Sequence, residues 1–169
     1  MTSAPRFQPE VMFAALERHG VRYVLIGGLA ATLHGSTVRT GDADICPAGD
    51  ADNLERLAAA LRDLSARIRT EDVPGGLRFA CDAAFLAGVD LCNLSTSAGE
   101  LDVAFLPAGT KGFDELDRDA VTYDLGETSV RVASLDDVIR SKRSANRDKD
   151  RAALPELQAL QDELRRRRP

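Results

Sequence analysis

Asp42 and Asp44, two aspartates separated by one residue, carry the clearest chemical signal in the sequence. Asp42 directly precedes, and Asp44 lies within, a short apolar segment, ADICP, that predicts a β-strand. Side chains at positions i and i+2 of a strand leave it on the same face. Carboxylates placed this way repel each other unless a cation lies between them, and Mg²⁺ suits paired oxygen ligands. The pair predicts a magnesium site, with a solvated strand end beside a turn as the alternative.

A third carboxylate, Asp102, lies in the segment ELDVAF, which predicts another strand. If that strand is a neighbour of the first, Asp102 joins Asp42 and Asp44 on one face. Two or three acids can hold one or two Mg²⁺ ions, which is the arrangement that promotes in-line phosphoryl or nucleotidyl transfer.

Gly27 and Gly28 follow an apolar strand-like run and precede a short helix-like segment. Glycines at such a position let backbone N–H groups approach a phosphate closely, although a tight strand-to-helix turn would use them as well. Thr40 and Arg39 lie between the glycines and the acids. Arg39 either binds a triphosphate or neutralises the acids, and Thr40 joins it as a candidate nucleotide-binding residue.

These residues need a scaffold, and hydrophobic periodicity with turn residues predicts one. Helical patterns cover residues 9–19, 29–35, 52–67 and 135–146, and a last helix continues to about residue 166, with Pro155 at a kink or in a new first turn. Strand patterns cover residues 22–26, 43–47, 89–96 and 99–107, and residues 120–134 predict a hairpin. Asp52 and Ser134 are the predicted N-caps of the third and fourth helices.

This order of elements predicts an α+β (mixed α/β) fold in which a mixed sheet is flanked by helices. We expect one domain over residues 1–169, with a sheet-containing core (1–133) and C-terminal helices (134–169). The net charge of −5 argues against general polyanion binding, although Arg165 to Arg168 form a basic end. Without a membrane-length apolar run or a signal-peptide pattern, the chain is expected to be cytoplasmic and away from membranes.

The module IGGLAATLHGSTVRTGDADI resembles the nucleotidyltransferase superfamily of the DNA polymerase β type, and most closely the AbiEii and MenT-type proteins of bacterial toxin–antitoxin systems. The segment SLDDVIRSKRSANRDKDRAALPEL is similar to the helical part of that family. The resemblance implies a mixed sheet with a helical C-terminal part, an NTP substrate and bound Mg²⁺.

The resemblance also implies roles for individual residues. Gly27 and Gly28 would hold the phosphates of the incoming nucleotide, while Asp42, Asp44 and Asp102 would form the metal cluster. Asp102 matches a carboxylate that acts as a base, so both roles stay open for it. Lys142 would contact the triphosphate, with Asp150 as a later acid. Lys142, Asn146 and Asp150 are spaced so that one continuous helix would turn them toward one cleft, or they would form a salt-bridged helix surface.

The implied activity is Mg²⁺-dependent transfer of a nucleoside monophosphate from an NTP to an acceptor hydroxyl. By resemblance the acceptor is a tRNA 3′ end and the protein is a toxin with a cognate antitoxin. A protein or small-molecule hydroxyl is the alternative acceptor. A binding module with little catalysis is a second hypothesis, which the presence of all three carboxylates disfavours.

Overall fold

The computed structural model describes residues 5–169, which form seven strands and seven helices. The strands are β1 (Tyr23–Ile26), β2 (Asp42–Pro47), β3 (Arg67–Ile68), β4 (Leu91–Thr96), β5 (Gly99–Ala104), β6 (Val121–Leu125) and β7 (Thr128–Val132). The helices are α1 (Pro9–Arg18), α2 (Gly27–Leu33), α3 (Ala51–Asp63), α4 (Ala83–Ala87), α5 (Phe113–Asp119), α6 (Leu135–Ala145) and α7 (Asp148–Arg166).

All seven strands form one sheet, in the order β3-β4-β5-β2-β1-β7-β6. β2 pairs in parallel with β5 and β1 pairs in parallel with β7, whereas the other neighbours are antiparallel. The sheet is therefore mixed, which confirms the predicted fold class. Within the described part of the chain, no helix is both long and apolar enough to cross a bilayer.

The central strands are apolar because helices cover them. Val24, Leu25 and Ile45 have no exposed surface, and they belong to one hydrophobic core that also includes Leu16 and Leu57 from α1 and α3. Complete burial of a leucine or isoleucine side chain is worth about 1.5–3 kcal/mol. This core fixes β1 and β2 rigidly, so residues at the ends of these strands are held at defined positions.

The start and the end of α3 differ from the prediction. Asp50 is the N-cap, because its side chain accepts a hydrogen bond from the backbone N–H of Asn53. The predicted cap, Asp52, is wrong: it lies in the first turn and pairs with Arg56 at 2.9 Å. The helix ends at Asp63 rather than residue 67, since Ser65 adopts a left-handed φ of 53°.

The C-terminal helices also differ from the single continuous helix implied by the spacing of Lys142, Asn146 and Asp150. Asn146 has a left-handed φ of 50° and ends α6, and α7 begins two residues later. Pro155 lies inside α7, so the prediction of a new first turn there is wrong. The short helices α4 and α5 were not predicted from the sequence.

Candidate active site

Three carboxylates meet on the sheet because β2 and β5 are parallel neighbours. Asp44 lies directly opposite Asp102, and Asp42 lies opposite Glu100. Oxygen atoms of Asp42, Asp44 and Asp102 all lie within 4.8 Å of one another. In the described residues this is the only cluster of three or more acids, histidines or cysteines close enough to hold a metal ion. The two strands are neighbours, so the condition under which Asp102 joins Asp42 and Asp44 is met.

Electrostatics in this acid cluster favour a bound cation. Burial, followed by the negative charges of Asp42 and Asp102, raises the pKa of Asp44 to about 7. Burial also raises the pKa of Asp102, and the Arg69 guanidinium offsets part of that rise. A divalent cation would remove the repulsion, and hard carboxylate oxygens are the ligands that Mg²⁺ prefers. The donor set therefore fits the predicted Mg²⁺, with Asp42, Asp44 and Asp102 as the residues available to hold it.

The two glycines have different surroundings. Gly27 has a φ of +68°, and a Cβ there would lie 2.5 Å from Oδ2 of Asp44. Glycine is thus required at this position both by the backbone and by the close approach of the carboxylate. A Cβ on Gly28 would lie 3.3 Å from the side chain of Thr40. Both glycines begin α2, and their predicted contact with nucleotide phosphates stays a prediction.

The loop between α2 and β2 orients the acid cluster. The Thr40 hydroxyl donates to Oδ1 of Asp42 at 2.6 Å. Glu156 of α7 accepts hydrogen bonds from the backbone N–H and the hydroxyl of Thr37, at 2.7 and 2.8 Å. Arg39 is exposed and is not among the residues that line the cleft described below. Thr40 therefore supports a carboxylate, while nucleotide binding by Arg39 and Thr40 remains a prediction.

A second group of charged residues lies where α6 meets α7. Asp150 is completely buried and accepts a hydrogen bond from Nε of Arg147 at 2.7 Å, and Nζ of Lys142 lies 3.6 Å from its other oxygen. Burial alone would raise the pKa of Asp150, but the hydrogen bonds and charge of Arg147 hold it below its ordinary value. Asp150 is thus an ionised anchor that fixes two cations.

These groups line one cleft of about 620 Å³. The predicted site residues in its lining are Gly27, Asp42, Asp44, Asp102, Lys142 and Asp150. Gly28, Arg39, Thr40 and Asn146 are not part of the lining. The acids lie on the sheet side of the cleft and the lysine on the side of α6. Such a cleft can hold a triphosphate between a metal ion bound to the acids of the sheet and the basic side chain on α6.

Several residues of the cleft were missed from the sequence, including Arg147, Asp90, Asn93 and Arg69. Arg147 and Lys149 lie close enough to lower the pKa of Asp44 by charge. Lys149 belongs to a segment that the resemblance covers. Arg69 carries no signal in the sequence, because only the pairing of β3 with β4 places it beside Asp102.

Comparisons with known proteins give one family match and two solved structures of similar fold class. A family model described as aminoglycoside-2''-adenylyltransferase matches residues 10–157. The crystal structure of the lincosamide antibiotic adenylyltransferase LnuA with bound lincomycin is 18% identical, with 92% of this chain and 99% of that chain covered and a TM-score of 0.58. A proposed nucleotidyltransferase from Thermotoga maritima is 16% identical, with 96% and 98% covered and a TM-score of 0.47. No curated protein matches the chain.

Proposed function

Because the chain belongs to the aminoglycoside-2''-adenylyltransferase family, and is therefore a nucleotidyltransferase, we propose that it transfers AMP from ATP to a hydroxyl of a cationic small molecule. The observation that carries the proposal is the acid cluster of Asp42, Asp44 and Asp102 in the same cleft as Lys142. Mg²⁺ is the expected cofactor, and when bound it would neutralise charge on the phosphates.

In the proposed reaction the oxygen of the acceptor hydroxyl attacks the α-phosphorus of ATP. A new P–O bond forms to the acceptor, the bond between the α-phosphorus and the bridging oxygen breaks, and pyrophosphate leaves. The hydroxyl proton passes to a carboxylate, for which Asp102 is the candidate. Lys142 and Arg147 carry the charges that would hold the triphosphate in line.

The charge and size of the cleft support a small cationic acceptor. Asp90 and Asp102 add negative charge on the β4–β5 side, and the exposed leucines Leu91 and Leu106 add apolar surface there. A volume of about 620 Å³ lies within the range of small-molecule sites, about 300–1,000 Å³. Acidic side chains would repel RNA phosphates and attract the amino groups of an aminoglycoside.

The experiment offers labelled ATP and Mg²⁺ to the purified protein with an aminoglycoside, lincomycin or total tRNA as separate acceptors. We expect a mass gain of one AMP on the aminoglycoside, loss of the product in Asp44→Asn, and full activity in Asp52→Asn, which removes an exposed acid outside the cleft. Labelled tRNA without labelled antibiotic would overturn the small-molecule acceptor.

The AbiEii/MenT subtype, a tRNA acceptor and an antitoxin partner remain predictions from the resemblance. The arginines from Arg165 to Arg168, at and just beyond the end of α7, are the feature that favours an RNA acceptor. The tRNA arm of the same experiment tests that acceptor.

A further inference from the structure

Arg69 forms a fixed bridge between two acids of β5. Its NH2 donates to Oδ1 of Asp102 at 2.8 Å, and its NH1 lies 2.8 Å from Oε2 of Glu100. Glu100 and Asp102 are two residues apart on one strand, so both side chains leave the same face. Because guanidinium is planar and offers several donors, one arginine can hold both carboxylates at once.

The backbone fixes this arginine in place as well. Asp44, Asp102 and Asn93 lie side by side on β2, β5 and β4. Arg69 continues the row, because its backbone N–H donates to the carbonyl of Asn93 at 2.8 Å. The guanidinium therefore approaches Asp102 from the β4 side, whereas Asp44 is on the opposite side.

The other two acids of the cluster have no such partner. Among the described residues, neither Asp42 nor Asp44 forms an ion pair with a lysine or arginine within 4 Å, and Asp42 is oriented by the neutral hydroxyl of Thr40. A cation in contact with Asp102 occupies one of its oxygens and repels a divalent cation that approaches the same carboxylate. The three acids are thus not equivalent.

We infer that Arg69 is a positioning residue that keeps Asp102 out of the metal site and turns its second oxygen toward the acceptor hydroxyl. Asp42 and Asp44 then hold the metal, and Asp102 takes the proton. This inference rests on the proposed nucleotidyl transfer, in which Asp102 is the candidate base, and it assigns the placement of that base to Arg69. The proton that leaves the hydroxyl goes to Asp102 as the new P–O bond forms.

The first measurement is of Mn²⁺ affinity, by calorimetry with a non-hydrolysable ATP analogue and no acceptor. We expect Asp102→Asn to keep the affinity within about 3-fold of wild type and Asp44→Asn to weaken it by about 10-fold or more. An equal loss in both variants would overturn the inference. This measurement stands even if no acceptor is found, so failure of the proposed function would be seen separately, as absence of transfer by the wild type.

The second measurement is of steady-state kinetics with the acceptor. We expect Arg69→Met to lower kcat by about 10- to 100-fold while KM for ATP changes less than about 2-fold, since the base is misplaced and the nucleotide site is intact. Arg69→Lys should restore part of kcat, and Arg67→Met, which removes a neighbouring arginine outside the cleft, should behave as wild type. An unchanged kcat in Arg69→Met would contradict the inference.

A second variant covers the case in which Arg69→Met does not fold. Glu100→Gln removes only the outer anchor of Arg69 and should lower kcat by a few-fold. An unchanged kcat in Glu100→Gln would count against the inference.

Discussion

The two sides of the cleft differ in how their charged side chains are arranged. On the sheet side, carboxylates are held close together on β2 and β5, and burial, followed by repulsion from Asp42 and Asp102, raises the pKa of Asp44 to about 7. On the helical side, Lys142 and Arg147 both lie beside the buried Asp150, whose pKa is lowered. The sheet side therefore carries an excess of negative charge, whereas on the helical side one acid is paired with two cations and one positive charge remains.

This difference separates the residues that act in ligand binding from those that stabilise the fold. A cluster of like charges costs stability and is useful only when a ligand compensates for it. Removing one partner of a buried ion pair is strongly destabilising, because the other charge is left buried without a counterion. Substitutions on the sheet side should therefore affect activity, and substitution of the anchor on the helical side should affect stability.

The largest effect is expected for Asp42→Asn. Loss of one carboxylate from the metal site should lower kcat/KM by at least about 10³-fold, or about 4 kcal/mol, with the fold intact. The matched variant Thr40→Val keeps the acid and removes only its hydrogen bond, so it should cost about 10-fold. Steady-state kinetics and circular dichroism measure both. Unfolding of Asp42→Asn would show that the sheet side is structural after all.

Asp150→Ala should produce the largest loss of stability. Removal of the buried partner leaves Lys142, which is only 15% exposed, without its counterion, and the free energy of unfolding should fall by about 3 kcal/mol. Urea denaturation measures this change. Asp148→Ala, which removes an exposed acid of the same helix, should change the free energy of unfolding by less than about 0.5 kcal/mol. An equal loss of stability in both variants would show that Asp150 does not anchor the helical side of the cleft.

Gly27→Ala tests how closely the backbone must approach Asp44. A methyl group at φ +68° and 2.5 Å from the carboxylate should cost about 2 kcal/mol of stability and displace Asp44, with a loss of activity. Gly28→Ala lacks the positive φ and meets only the Thr40 side chain at 3.3 Å, so its cost should be smaller. Thermal unfolding and kinetics compare the two variants, and a reversed order would show that Gly28 is the more constrained position.

The smallest effect concerns stability and pH in the absence of metal. Because the pKa of Asp44 is raised to about 7, the folded protein loses stability relative to the unfolded chain as pH rises from about 4 to about 7. Asp44→Asn should therefore be more stable than wild type at pH 8, by about 1 kcal/mol or about 2–4 °C in Tm, and the advantage should vanish near pH 4. Mg²⁺ should raise the Tm of the wild type and not that of the variant. A constant difference in stability across pH would contradict the raised pKa of Asp44 as its cause.

Local patterns predicted a large part of the fold and of the site. The period of β2 placed Asp42 and Asp44 on one face, and Ser134 was identified as the N-cap of α6. The sequence-based predictions failed where contacts between distant residues, or the backbone conformation of a single residue, decide the local structure. Ser65 follows α3 in a left-handed conformation, so this helix ends at Asp63 although its predicted pattern continues to residue 67. The short helices α4 and α5 lack a full apolar stripe, so periodicity could not detect them.

The amino-acid sequence by itself determined the residue types of the cleft: glycines before a short helix, paired acids on a strand, and a lysine with later charges in the C-terminal helices. Only the tertiary structure decided how these residues divide their roles. Parallel pairing of β2 with β5 brings Asp102 to Asp44, and the position of β3 beside β4 brings Arg69 to Asp102. The physical reason is that charges interact through space, and the distances between side chains on different strands are set by strand order and register.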